Sequence, residues 1–243
     1  MSKPTTLDTL CARPLRRRGI ARLNALLDAT ERLLATQNEA SVSLAGIAAE
    51  AGVPLPSVYH FFPNRDLAFE ALALRFNEEI YNLSIRPLDD PAPQSWQELV
   101  ERKHIRAAAF QNSRPAALKL FLGAGVTTMV RRIDFAGNAR LALSRLRLFE
   151  AYFELPFLPD FARRIEIATA ANDGIWSLSV GRHGTITEPM RAAATSAAIA
   201  YLRGYLPEYL PPRMPSAETL AQIYVPPPEG QDVRFLFSAP AEA

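Results

Sequence analysis

Residues 43–63 allow two short helices and little else. Ser43 is a good N-cap, and Leu44, Ile47, Ala48 and Ala51 recur at the spacing of one helical face. Gly52 follows at once, where a left-handed residue ends a helix at low cost. Pro63 stops a second helix expected over 55–61, and Asn64 is placed to cap the next one. Leu44, Ile47, Ala48, Val53, Val58 and Phe62 would form the small core between them. Two short helices joined by a tight glycine turn make a helix-turn-helix. Periodicity alone also describes an ordinary pair of packed helices.

The flanking sequence is helical too. Ile20, Leu23, Leu26, Leu27, Leu33 and Leu34 form one stripe of a helix ending near Asn38. A helix over 65–85 has Leu67, Leu72, Phe76, Ile80 and Leu83 as candidate core. Residues 86–94 hold three prolines and two aspartates and read as a connection. Ser95 with Glu98 has the capping-box pattern for a helix reaching about Gln111. Ser113 is expected to cap another through Leu122, with Pro115 in its first turn. Longer helices follow over 128–154, which Gly137 and Asn138 can interrupt, then 160–181 and 188–206, the last capped by Thr187. Beyond Pro207 the chain is proline-rich, with one short helix near 217–224.

With 49% hydrophobic residues and little strand-like alternation, the fold class is all-α. The expected organisation is a basic arm (1–16), a three-helix helix-turn-helix domain (17–68), a larger helical ligand-binding and dimerisation domain (69–210) and a proline-rich tail (211–243).

Net charge is only +2, so the whole chain carries no bulk signal for nucleic acid. Its distribution says more. Arg13, Arg16, Arg17, Arg18 and Arg22 precede the helix-turn-helix with no acidic residue among them. The lone Cys11 excludes an internal disulfide framework. No apolar run reaches the roughly 20 residues needed to span a bilayer, and no signal-peptide core is present, so a cytoplasmic protein is expected. His104 and His183 lack partners at metal-ligand spacing. No nucleophile–base set or phosphate-cradling glycine loop appears, so neither an enzyme nor a cofactor is expected.

The stretch Val42-Ser43-Leu44-Ala45-Gly46-Ile47-Ala48-Ala49-Glu50-Ala51-Gly52-Val53, followed by Ser57-Val58-Tyr59-His60-Phe61-Phe62-Pro63-Asn64-Arg65-Asp66-Leu67, closely resembles the DNA-binding domain of the TetR family of transcriptional regulators. The resemblance covers about residues 17–68. It implies a homodimer on a palindromic double-stranded DNA operator and a repressor released by a small apolar or amphipathic effector. By position, Leu55, Pro56, Ser57, Tyr59 and His60 should face DNA. Tyr59 and Arg65 match phosphate contacts, and the amides after Ser43 and Leu44 would point at a phosphate. Arg16, Arg17 and Arg18 would reach along the backbone or into the minor groove.

The departures matter. Pro54 replaces a frequent Ser or Thr cap, and Leu55 stands where a polar reader is common. No Lys or Arg lies between Gly52 and Asn64, so bidentate guanine readout within this helix is excluded. Plainer roles exist for each residue: Tyr59 as a half-buried core tyrosine, His60 as merely exposed, Arg65 as a surface charge. A fold that kept this shape and lost DNA recognition is one competing reading, and an enzyme that uses the helices only as scaffold is the other.

In the second domain, Trp96, Phe110, Phe121, Met129, Phe149, Tyr152, Phe153 and Trp176 either line an apolar pocket or form ordinary core. Small residues (Ala168, Ala170, Ala171 and Gly174, then 192–194, Ala197, Ala198 and Ala200) allow close helix approach. The resemblance implies that these last two helices pair across a dimer.

Overall fold

The computed structural model describes residues 17–88, 91–125 and 127–227. The expected arm over 1–16, Arg16 included, and the end of the tail lie outside the described residues. The described part is helical, with one isolated β-bridge between Phe153 and Pro212.

Helix α1 (Arg17–Thr36) buries Leu23, Leu26, Leu27 and Leu34 completely. Each such leucine is worth about 1.5–3 kcal/mol against exposure. A 3-10 turn (Glu39–Ser41) leads to α2 (Leu44–Ala51) and α3 (Leu55–Phe61). Ser43 caps α2 by accepting the Gly46 amide at 3.1 Å. Gly52 ends it at φ 66°, where a β-carbon would be strained. The Val53 amide bonds back to the Ala48 carbonyl at 3.0 Å, closing the turn.

Helix α4 (Arg65–Ile85) starts at Asn64, which accepts the Leu67 amide at 3.0 Å. It runs through the expected boundary at residue 68 without a break. One buried apolar cluster extends from Leu23 through Phe62 and Phe76 to Phe121 and Trp176, so head and body share a core.

The body continues with α5 (Trp96–Ser113), a single turn α6 (Pro115–Ala117) and a π-helical turn (Leu118–Leu122). Then come α7 (Thr128–Tyr152), α8 (Phe161–His183), α9 (Glu188–Leu202) and α10 (Ala217–Ala221). Helix α7 packs on α4 and α8, and α8 packs on α9. Tail residues lie against this body. The Trp96 indole donates to the Pro207 carbonyl at 3.0 Å, Tyr81 bonds to both backbone groups of Val225, and Arg147 donates to the Gln222 and Tyr224 carbonyls.

Four expectations need correction. Ser113 ends α5 rather than capping the next helix, because its hydroxyl is turned back to the Phe110 carbonyl at 2.7 Å. Thr187 occupies the N-cap of α9 but its side chain makes no cap bond. Ser95 caps α5 as expected, accepting the Glu98 amide at 3.1 Å, but Glu98 accepts the Gln94 amide at 2.7 Å instead of that of Ser95, so the reciprocal half of the capping box is displaced by one residue. Gly137 does not interrupt α7. A β-carbon there would lie 2.6 Å from Asn77 Nδ2, so the glycine serves close approach to α4.

Candidate nucleic-acid interface and interior cavities

The face of α3 opposite the core is built by elimination. Val58 is fully buried and Phe61 nearly so, which turns Pro56, Tyr59 and His60 to solvent. Tyr59 is 54% exposed, so it is no core tyrosine. Leu55 and Ser57 are half-buried, and Leu55 packs partly against the head's apolar cluster. Pro54 supplies no side-chain cap, as its chemistry requires. Arg17 and Arg18 are exposed at the start of α1. The amides following Ser43 and Leu44 open α2, where the partial positive charge of a helix start favours an anion.

Arg65 is turned inward. Its Nη1 donates to the carbonyls of Glu39 (3.1 Å), Ala40 (3.3 Å) and Val42 (3.4 Å), and its guanidinium lies 5.4 Å from the Phe69 ring centroid. It therefore clasps the loop between α1 and α2 to the start of α4.

A second clasp joins head to body. Arg75, with 8% of its side chain exposed, pairs with Asp28 (2.5 Å) and Glu31 (2.7 Å). Arg114 pairs with Glu31 and Glu79 and lies over the Phe76 ring. Lys119 donates to the Leu34 and Gln37 carbonyls at 2.6 and 2.8 Å, holding the C-terminal end of α1.

Two small cavities lie inside the body. One, of about 30 Å³, is largely apolar, with Leu99, Leu148, Phe149, Ile165 and Leu202 on its wall. The other, of about 50 Å³, is lined by Phe121, Leu122 and Trp176 together with Gln111, Asp134, Asn138, Arg145, Asn172 and Asp173. Of the aromatic set expected from sequence, Phe121, Phe149 and Trp176 line these two cavities. Trp96 and Tyr152 are core residues, Phe110 lies half-buried beneath Arg114, and Met129 is half-buried in the first turn of α7.

The polar residues were missed by sequence reasoning, although they repeat at helical spacing. On α7 these are Asp134, Asn138 and Arg145; on α8 they are Thr169, Asn172 and Asp173. Arg131 pairs with Asp134 at 3.1 Å, and Asn138 spans Asp134 and Asp173 at 3.5 and 3.3 Å. Burial, then the neighbouring Asp173, push the Asp134 pKa up to about 7. Burial also raises that of Asp173 and lowers that of Arg145. His104 is held neutral, its pKa pushed down to about 3 by burial and then by Arg145 and Arg191. The Thr195 hydroxyl donates to the Arg191 carbonyl, so His104 Nδ1 is the donor to Thr195 at 3.0 Å.

These features define a helix-turn-helix head fused through one continuous helix to an all-helical body. Residues 26–72 match the family model described as bacterial regulatory proteins, tetR family. No curated protein sequence matches the chain. Among solved structures, a TetR-family transcriptional regulator from Streptomyces coelicolor is similar at 22% identity, covering 77% of this chain and 98% of its own, with a TM-score of 0.56. A TetR transcriptional regulator from Rhodococcus sp. RHA1 gives 19%, 76%, 98% and 0.56. SmeT, the repressor of the Stenotrophomonas maltophilia multidrug efflux pump SmeDEF, gives 18%, 80%, 96% and 0.55. The fold is that of TetR-family regulators over both head and body. Among the described residues no helix is long and apolar enough to cross a membrane.

Proposed function

We propose that the protein is a ligand-responsive transcriptional repressor that binds a palindromic operator as a C₂ dimer. The observation that carries this reading is the α2–α3 unit, matched to the tetR-family model, with Pro56, Tyr59 and His60 presented to solvent. In this reading Leu55, Ser57 and the amides after Ser43 and Leu44 complete the DNA face. Phosphate contacts, including Arg16, Arg17 and Arg18, supply most of the affinity.

Support for the dimer comes from α8 and α9. Ile167, Ala170, Ala171, Gly174 and Leu178 are exposed along one stripe of α8, and Ala193, Ser196 and Ala200 along α9. Paired across a two-fold axis, these small faces would place two α3 helices on successive major grooves.

The response is assigned to the π-helical turn. Phe121 and Leu122 face the polar cavity, while Lys119 on the same turn holds the end of α1. An occupant that displaces this turn shifts the head. Both interior cavities are too small for a drug-sized molecule, so an effector that enters them favours an opened body, which is the differential affinity that release requires.

The test is binding to the DNA upstream of the protein's own gene, by gel shift and fluorescence anisotropy, with mass measured by light scattering. A folded dimer with no site-specific binding at low salt refutes the reading. That result would favour the second reading, an interaction protein that kept the fold. The uncharged α3 is the observation behind that alternative.

A further inference from the structure

His104, Arg145 and Thr169 stand on the walls of both interior cavities and form the partition between them. On one side the wall is mostly apolar, with Val100, Leu148, Phe149, Ile165, Ala198 and Leu202, and Lys103, which also lines it, donates to the Ser84 and Arg86 carbonyls at 2.9 and 2.8 Å. On the other side four side-chain atoms lack a protein hydrogen-bond partner among the described residues. Two are donors, Trp176 Nε1 and Arg145 Nε; two are acceptors, Gln111 Oε1 and Asn172 Oδ1. Trp176 and Asn172 are each 3% exposed and Gln111 is 8% exposed, so bulk solvent does not serve them. Buried polar groups are ordinarily paired, and four exceptions lining one cavity point to an occupant.

The ionic side chains around this site are already matched to partners. Arg131 pairs with Asp134, Arg140 pairs with Glu78 at 2.6 Å, Arg145 faces the field of Asp173, and His104 is neutral. An ionic ligand would carry an uncompensated charge into this interior. The orphaned atoms ask instead for one group that both donates and accepts.

We infer that the effector is a neutral amphiphile whose head, a carboxamide or its equivalent, bonds to Trp176, Arg145, Gln111 and Asn172 while a short apolar tail passes the His104–Arg145–Thr169 partition into the apolar cavity. This rests on the ligand-responsive reading above. Passage breaks the 2.6 Å bond from Arg145 to Thr169, so binding selects an arrangement in which the two cavities are one.

The test uses the full chain without DNA. Octanamide, octanoate and octylammonium share a tail and differ in charge, and each is titrated calorimetrically at pH 7.5. Octanamide is expected to bind at least tenfold more tightly than either ion. Equal or tighter binding of octanoate or octylammonium overturns the inference, and so does failure of all three to bind. Trp176→Phe and Asn172→Leu, each checked for folding by circular dichroism, are expected to weaken octanamide about tenfold. Unchanged affinity in a folded variant places the amide elsewhere and overturns the assignment. A protein that binds octanamide but no DNA keeps this inference and loses the repressor reading; DNA binding with no preference for the amide does the reverse.

Discussion

Replacing Arg65 with alanine separates two roles that the sequence could not. A phosphate contact and an internal clasp both want a guanidinium at the start of α4, but they fail differently. As a clasp, Arg65 contributes one good charge-assisted bond, to the Glu39 carbonyl at 3.1 Å, and two longer ones. Such a bond is worth about 1.5–3 kcal/mol, and the contact with Phe69 adds about 0.5–1. Because 37% of the side chain is exposed, water recovers part of this loss. The expected net cost is about 2 kcal/mol, a fall in Tm of roughly 4–8 °C for a domain of this size. Lysine at the same position restores the charge but not the fork, so Arg65→Lys should recover little of the loss. The assay is thermal unfolding by circular dichroism, alongside the salt dependence of operator binding. A clasp leaves the slope of log K against log salt unchanged, whereas each lost phosphate contact lowers it by about 0.9. An unchanged Tm with a reduced slope would refute the clasp and return Arg65 to the DNA face.

Three further outcomes are expected. Replacing Arg16, Arg17 and Arg18 together with alanine should flatten the salt dependence of DNA binding; an identical slope would remove the arm from the interface. Gly137→Ala drives a β-carbon to 2.6 Å from Asn77 Nδ2, which is itself bonded to the Ile133 carbonyl at 2.9 Å. Overpacking of this kind costs about 1–3 kcal/mol, and adding Asn77→Ala should recover it in urea unfolding. Asp134, with its pKa raised to about 7, binds its proton more tightly folded than unfolded, so its contribution is fully present below about pH 4 and is lost as pH rises through 7. Asp134→Asn should therefore gain stability relative to the native chain progressively from about pH 4 to pH 7 and level off above, read from urea midpoints at each pH.

The head was legible because its signals are local. Ser43, Gly52, Pro63 and Asn64 act through the backbone of residues within four positions, and the observed helices begin and end where those residues place them. The body was legible as helices but not as a site. The aromatic residues read either as pocket or as ordinary core, and Trp96 and Tyr152 are core, because a large apolar ring is buried wherever the fold offers it a neighbour. The cavity is marked instead by what ordinary packing would exclude: Asp134, Asn138 and Arg145 along α7, facing Thr169, Asn172 and Asp173 on α8. Their spacing of three, four and seven residues was present in the sequence. Periodicity assigns polar residues to the solvent side, however, and α7 has its second face against α4 and α8 rather than water. The same limit explains Lys119 and Arg65. Arg65 reads as a phosphate contact or a surface charge, and Lys119 gives no local signal, until the chain brings helix- and turn-end carbonyls within hydrogen-bonding distance, and those carbonyls belong to segments more than 20 residues away. A long-range contact of this kind leaves no local pattern, so the charges that decide how the head is held are those a single sequence conceals best.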